Sequence, residues 1–334
     1  MKKIALTLAL LCSLVQAQDI SSMNSFTNGK FQFQSVKSIF WSNIVNGGQG
    51  AVDRSEKVSV PAQLYMPKQS TGKVSAMVIV HGIGGLYSKD GRRRAYFDYA
   101  ELLASNGIAA LIVDSHGARG VGVTSQLGST EVSVYTFVAD AFAAADLLRT
   151  HPQIDPDRVG IMGFSKGGMT TLLAADERFS VLSKTNTPFK LHIPIYPGCQ
   201  NFPENLRPTR APVHMLLGEK DNFTGTAGCY EIEKKLKAAN TPVNVTEYRG
   251  AYHGWDEDIV PFRSDDVSSE DCRWILKDGG GVWGGDQKPL DSAADGQAYF
   301  KACSKRAAIF IGRNEAANKS SRQAVIDITK ATFK

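Results

Sequence analysis

The chain has 334 residues, 43% of them hydrophobic and 21% charged, with a formal net charge of +5 at neutral pH. That composition supports a buried core of ordinary globular size and excludes a disordered or fibrous chain. Basic residues are not gathered into long runs interleaved with aromatics, so no nucleic-acid partner is expected.

The first residues read MKKIALTLALLCSLVQAQDI. Lys2 and Lys3 precede an apolar run from Ile4 to Val15, which is too short to span a bilayer and ends on small residues. This is the layout of a secretory leader cut after Ala17. Residues 1–17 are read as a signal peptide and 18–334 as one exported domain, periplasmic or secreted, with no stable membrane anchor. Four cysteines follow the leader: Cys199, Cys229, Cys272 and Cys303. An even number in an oxidising compartment favours disulfides. The local pairs Cys199–Cys229 and Cys272–Cys303 are expected, since each flanks a loop-rich stretch. No C-x-x-C spacing points to a metal, and no metal site is expected.

QFQSVKSIFWSNIVNGGQG and KVSVPAQLYMPK read as edge strands separated by a Gly-rich turn. SAMVIVHGIGG carries a continuous apolar run of the kind buried on both faces of a parallel sheet. Helix RRRAYFDYAELLASNG, strand IAALIVDSHG and helix EVSVYTFVADAFAAADLLRTH follow. The Arg92–Arg94 run reads as a solvated helix start. Next come strand RVGIMG, helix KGGMTTLLAAD, strands FKLHIPIYPG and APVHMLLGEKD, helix AGCYEIEKKLKAAN and strand PVNVTEYRGAYHG. This alternation predicts a mostly parallel, doubly wound sheet. A polar, Gly-rich excursion follows at about 256–297, and QAYFKACSKRAAIFIG and RQAVIDITKATF return to helical spacing.

Within GFSKG, Ser165 stands between Gly163 and Gly167, with a strand before and a helix after. This G-x-S-x-G pattern in a strand–turn–helix setting is a nucleophile elbow. A serine there needs a base, and the base needs an orienting acid, in the chain order serine, acid, histidine. Of the three later histidines, His192 and His214 lie inside apolar runs and read as structural. His253 follows the last strand and is the expected base. Asp221, after strand APVHMLLG, is the expected acid, with Glu219 and Asp256 as alternatives. The oxyanion site requires two backbone amides. These are assigned to Lys166, after the nucleophile, and Ile83 in HGIGG, with Gly82 as the alternative to Ile83. His81 reads as a brace for that loop. Asp114, His116 and Arg119 follow a strand end and are candidate pocket residues, Arg119 as a partner for a substrate carboxylate or as a structural ion pair.

HGIGG, LIVDSHGARG, GFSKGG, YPGC, LLGEKDNFT and GAYHGW, in that order, resemble the dienelactone hydrolase family of α/β-hydrolases. The resemblance spans roughly Val74 to Trp255. It implies an α/β-hydrolase fold, a mostly parallel eight-stranded sheet with helices on both faces, and a cofactor-free triad of Ser165, His253 and Asp221. Dienelactone hydrolases proper carry cysteine where Ser165 stands and glutamate where Gly82 stands. Those departures point to ordinary carboxylic esters or lactones, small molecules, as substrates. A peptidase of the prolyl-oligopeptidase type and a non-catalytic binding protein of the same fold are the competing readings. The first usually adds a propeller for which there is no room, and the second has no use for all the catalytic groups.

Overall fold

A computed structural model describes residues 28–88, 91–121 and 132–334. The leader assigned to residues 1–17 lies outside the described residues. Eight strands form the central sheet: β1 (Asn28–Val36), β2 (Lys57–Tyr65), β3 (Val74–Val80), β4 (Ala109–Val113), β5 (Ile154–Phe164), β6 (His192–Ile195), β7 (Val213–Gly218) and β8 (Val243–Tyr248). Their order is β1-β2-β4-β3-β5-β6-β7-β8. β2 is antiparallel to β1 and β4, and every other neighbouring pair is parallel. The helices are α1 (Trp41–Arg54), α2 (Arg94–Ser105), α3 (Val134–Thr150), α4 (Lys166–Leu173), α5 (Ala227–Ala238), α6 (Ala293–Cys303) and α7 (Glu315–Thr332).

All seven residues of β3 are buried, as the unbroken apolar run requires. Val78 and Val80 face the layer of α3, with Phe137 and Phe142. Met77 and Ile79 face the layer of α2 and α7, with Tyr96, Phe97, Leu103, Val325 and Ile326. Each large apolar side chain fully buried in these layers contributes about 1.5–3 kcal/mol. Covering both faces leaves the ends of the strands as the place where polar groups meet.

Three sequence expectations change. The first edge segment is a strand only to Val36, and Trp41–Arg54 is a helix kinked at Gly48. Trp41 and Ile44, three apart, bury one face of that helix, and the Trp41 ring lies 5.3 Å from that of Phe179. Of the two tail segments, RQAVIDITKATF lies in α7 as expected, but QAYFKACSKRAAIFIG is helical only to Cys303. Lys305–Ile311 is a strand paired antiparallel with Phe262–Ser268, two halves of a ribbon too far apart in sequence for local periodicity to reveal. The Arg92–Arg94 run is not uniformly solvated: Arg94 starts α2 exposed, whereas Arg93 is drawn into a half-buried ion pair with Glu257.

The excursion is sewn to the body of the domain through a separate three-stranded sheet. Trp274–Leu276 pairs parallel with Asn201–Pro203, and Trp41 donates its indole N–H to the carbonyl of Lys277 at 2.8 Å. Cys199 is bonded to Cys229 and Cys272 to Cys303, with Cα atoms 5.1 Å apart in both pairs. No described helix is long and apolar enough to cross a membrane.

Candidate active site

β5 ends at Phe164 and α4 begins at Lys166, so Ser165 alone makes the corner. It does so at φ 54° and ψ −113°, outside the regions an L-residue ordinarily adopts. Such a conformation costs of order 1–3 kcal/mol and persists only where the surroundings over-determine it. Here the Ser165 amide donates to the Ile195 carbonyl at 3.0 Å, and its own carbonyl accepts from Met169 at 2.9 Å. Gly163 and Gly167 make the close approach possible. A Cβ on Gly163 would fall 2.2 Å from the Gly167 carbonyl oxygen, and one on Gly167 would fall 2.2 Å from that of Val80.

The turn after β8 carries His253, and the turn after β7 carries Asp221. Asp221 Oδ2 lies 2.7 Å from His253 Nδ1, and His253 Nε2 lies 3.0 Å from Ser165 Oγ. Asp221 Oδ1 also accepts the amides of Phe223 and Thr224 at 3.0 and 3.1 Å, and Oδ2 accepts the Thr224 hydroxyl at 3.1 Å. Burial pushes the Asp221 carboxyl up, but the neighbouring His253 and these hydrogen bonds outweigh it and hold it below the usual carboxylate range. An ionised carboxylate only accepts, so Nδ1 carries the imidazole proton and Nε2 faces the Ser165 hydroxyl as an acceptor. The rings of Tyr196 and Phe223 meet His253 edge-on, each with centroids 4.9 Å away.

Glu219 and Asp256 stand elsewhere. Glu219 accepts the Gly250 amide at 2.6 Å. Asp256 is buried and accepts the Tyr196 hydroxyl at 2.7 Å, and burial raises its carboxyl to about 6. In the loop after β3 the Gly82 amide is taken by the Tyr96 hydroxyl at 3.1 Å. Among the described residues, the amides of Ile83 and Lys166 donate to no protein acceptor. His81 bonds through Nδ1 to the Gly82 carbonyl at 2.7 Å, and burial lowers it to about 4.

His116 is buried behind this loop, its ring 4.8 Å from that of His81. Asp114 accepts the Gly117 amide and so closes a turn. Arg119 belongs to the architecture. Its five N–H groups meet the carbonyls of Lys37, Ser115 and Val36 and both oxygens of buried Asp140, the latter at 2.8 and 2.9 Å. None is left for a ligand. Lys166 offers more than its amide. Its ammonium lies 4.6 Å over the Phe137 ring and donates to the Val132 carbonyl at 2.5 Å, and burial lowers it to about 8.

Sequence reasoning missed the residues that hold the turns. Asn222 donates to the Ala308 carbonyl at 2.7 Å and accepts the Phe310 amide at 3.2 Å, tying the turn of Asp221 to the ribbon. Its place beside Asp221 was the one available signal. Arg93 and Glu257 left none, being 164 positions apart.

A model of the dienelactone hydrolase family matches residues 60–274. A probable 2-oxo-3-(5-oxofuran-2-ylidene)propanoate lactonase from Bradyrhizobium is 26% identical over 198 residues, covering 56% of this chain and 75% of that protein. The uncharacterized peptidase YtmA of Bacillus subtilis is 28% identical over 142 residues, covering 34% of this chain and 54% of its own length. Among solved structures, a dienelactone hydrolase-like promiscuous phosphotriesterase from metagenomic libraries aligns with a TM-score of 0.56 at 15% identity. That alignment covers 92% of this chain and 100% of the other, and the likeness is one of fold.

Proposed function

This chain belongs to the dienelactone hydrolase family of α/β-hydrolases, and we propose that within it the chain is a serine hydrolase of carboxylic esters or lactones. The carrying observation is the unbroken line from Asp221 through His253 to Ser165, at 2.7 and 3.0 Å. His253 takes the Ser165 proton as Oγ attacks the ester carbonyl, and Asp221 fixes the imidazole tautomer and stabilises the imidazolium. The amides of Lys166 and Ile83 receive the charge of the tetrahedral oxyanion. One such donor is worth about 10²–10³ in rate. His253 then returns the proton to the leaving alcohol, and water attacks the acyl-serine by the same route.

The two disulfides fit an oxidising compartment. We read residues 18–334 as one catalytic domain, exported behind a leader spanning 1–17. The test is hydrolysis of p-nitrophenyl acetate and butyrate by the parent and by Ser165→Ala. Turnover by the parent and none by the variant is expected. Equal rates in both would remove Ser165 from the mechanism.

A further inference from the structure

Acyl transfer at Ser165 requires the Ile83 amide, which meets the oxyanion, and His253 Nε2, which faces the attacking Ser165 Oγ, to hold fixed places around one carbonyl carbon. The two groups ride on loops from different strands, the loop after β3 and the turn after β8. We infer that Arg93 and Glu257 form a latch that sets the spacing of these two loops. Both are therefore positioning residues for the reaction proposed above, on which this inference rests.

The Arg93 end of the latch is seated on the oxyanion loop. Its guanidinium lies flat on Gly84, the neighbour of Ile83: a Cβ there would come 2.6 Å from Nη2, 2.9 Å from Cζ and 3.0 Å from Nε. Only a residue without a side chain admits that contact. The Arg93 amide also donates to the Leu86 carbonyl at 2.8 Å, fixing the backbone that carries it.

The Glu257 end is seated on the histidine turn. Its amide donates to the Gly254 carbonyl at 3.1 Å, and its Cγ and Cδ stand 3.7 and 3.8 Å from where a Cβ on Gly254, the residue after His253, would lie. Between the two ends runs one charge-assisted hydrogen bond, Arg93 Nη1 to Glu257 Oε2, at 2.7 Å. The side chains are 21% and 17% exposed, so water screens this pair far less than it screens an exposed one. The neighbouring pair, Arg94 with Asp258, shows the contrast: it is 3.4 Å long, with side chains 62% and 54% exposed. A pair of that kind contributes little. Burial alone would lower the Arg93 guanidinium, but the charge of Glu257 beside it raises it, so the latch stays ionised.

The test compares Arg93→Ala, Arg93→Lys, Glu257→Gln and Gly84→Ala with the parent. The readouts are kcat and KM on p-nitrophenyl butyrate, inhibition by butylboronic acid, and melting temperature. Displacing a reacting group by about 1 Å costs on the order of 10² in rate. Arg93→Ala and Glu257→Gln should therefore lose roughly 10- to 100-fold in kcat with KM nearly unchanged. Boronate affinity should fall in parallel, because its tetrahedral adduct uses the same amides. Gly84→Ala should drive the guanidinium off and reproduce the loss, and the double variant with Arg93→Ala should be no worse than the worse single. Added guanidinium ion should restore part of the Arg93→Ala activity, and Arg93→Lys should fall between parent and Arg93→Ala.

The inference is overturned by folded Arg93→Ala and Glu257→Gln proteins with the parent's kcat. A lower melting temperature with unchanged kcat would make the pair merely structural and overturns it as well. So does a raised KM with unchanged kcat, which would mean substrate contact. Measured alongside, Ser165→Ala separates the two levels. If it is inactive while the latch variants are unimpaired, only the latch falls. If it is fully active, the triad reading falls and takes the latch with it.

Discussion

Asp221 Oδ2 lies 2.7 Å from His253 Nδ1, in a turn where three further donors converge on the same carboxylate. Replacing that carboxylate by an amide keeps the shape but offers Nδ1 an N–H, which reverses the imidazole tautomer. Asp221→Asn should lower kcat by about 10⁴ with little change in fold. Glu219→Gln, which alters only the partner of the Gly250 amide, should leave kcat near that of the parent. Steady-state kinetics on p-nitrophenyl butyrate decides it: comparable losses in both variants would move the acid away from Asp221.

The elbow is held by contacts with no slack. A methyl on Gly167 would meet backbone oxygens of Val80 and His81 at 2.2 and 2.7 Å, and backbone cannot swing aside as a side chain can. Gly167→Ala should destabilise by about 3 kcal/mol or more, at or beyond the usual overpacking range. Gly72→Ala, where the added methyl meets nothing within 4 Å, should be near neutral. Urea denaturation of both separates a packing effect from a general intolerance of alanine.

The sheet was legible because its central strands are buried on both faces: β3 and β4 are buried at every position and, Ser75 apart, apolar, and that signal needs no partner to be read. Ser165, Asp221 and His253 were legible because strand ends deliver them, and a strand end is visible in sequence. Asn222, Arg93 and Glu257 were not, since each acts through contacts made across long chain separations. The Trp41–Arg54 helix was hidden by its own glycines, which read as a turn and are a kink at Gly48. Arg119 kept two readings, ligand partner and structural ion pair, for the opposite reason. It sits at a strand end, where pocket residues belong, yet its partner Asp140 lies inside α3 and has no exposure.

Arg119→Leu should therefore be a stability variant. It strands the Asp140 carboxylate, which is already pushed up by burial, and breaking a buried pair from one side costs about 3–5 kcal/mol. KM for p-nitrophenyl acetate in the folded fraction should match the parent. A large rise in KM at unchanged melting temperature would restore Arg119 to the pocket.

The disulfides close loops of 30 and 31 residues, for which chain entropy gives about 3.5 kcal/mol each. They differ in what they hold. Cys199–Cys229 joins the segment after β6 to α5, whereas Cys272–Cys303 closes the excursion whose ribbon grips Asn222. Both Cys199→Ser/Cys229→Ser and Cys272→Ser/Cys303→Ser should lower the melting temperature. The second should also lower kcat, because the turn carrying Asp221 loses its support. Equal kcat values in the two variants would detach the ribbon from the site.

Buried histidines set the acid limit of stability. His81 and His192 are both lowered to about 4 by burial, whereas an unfolded histidine titrates near ~6.5. Between those values the unfolded chain binds protons that the native one refuses. Stability is then fully present above the unfolded value and falls as pH falls, by about 1.4 kcal/mol per pH unit for each histidine. Asp256 works in the other direction. Raised to about 6 by burial, it binds a proton in the native state that an unfolded aspartate, titrating near ~3.9, does not. Its contribution therefore grows as pH drops through that interval. Among the described residues, burial lowers five histidines (His81, His116, His151, His192 and His214) and raises three carboxyls (Asp114, Asp140 and Asp256), so the histidines fix the sign. Melting temperature should fall from pH 6.5 to pH 4.5, and His192→Gln should flatten that limb, since glutamine has no proton to gain. A limb equally steep in the variant would place the acid sensitivity elsewhere.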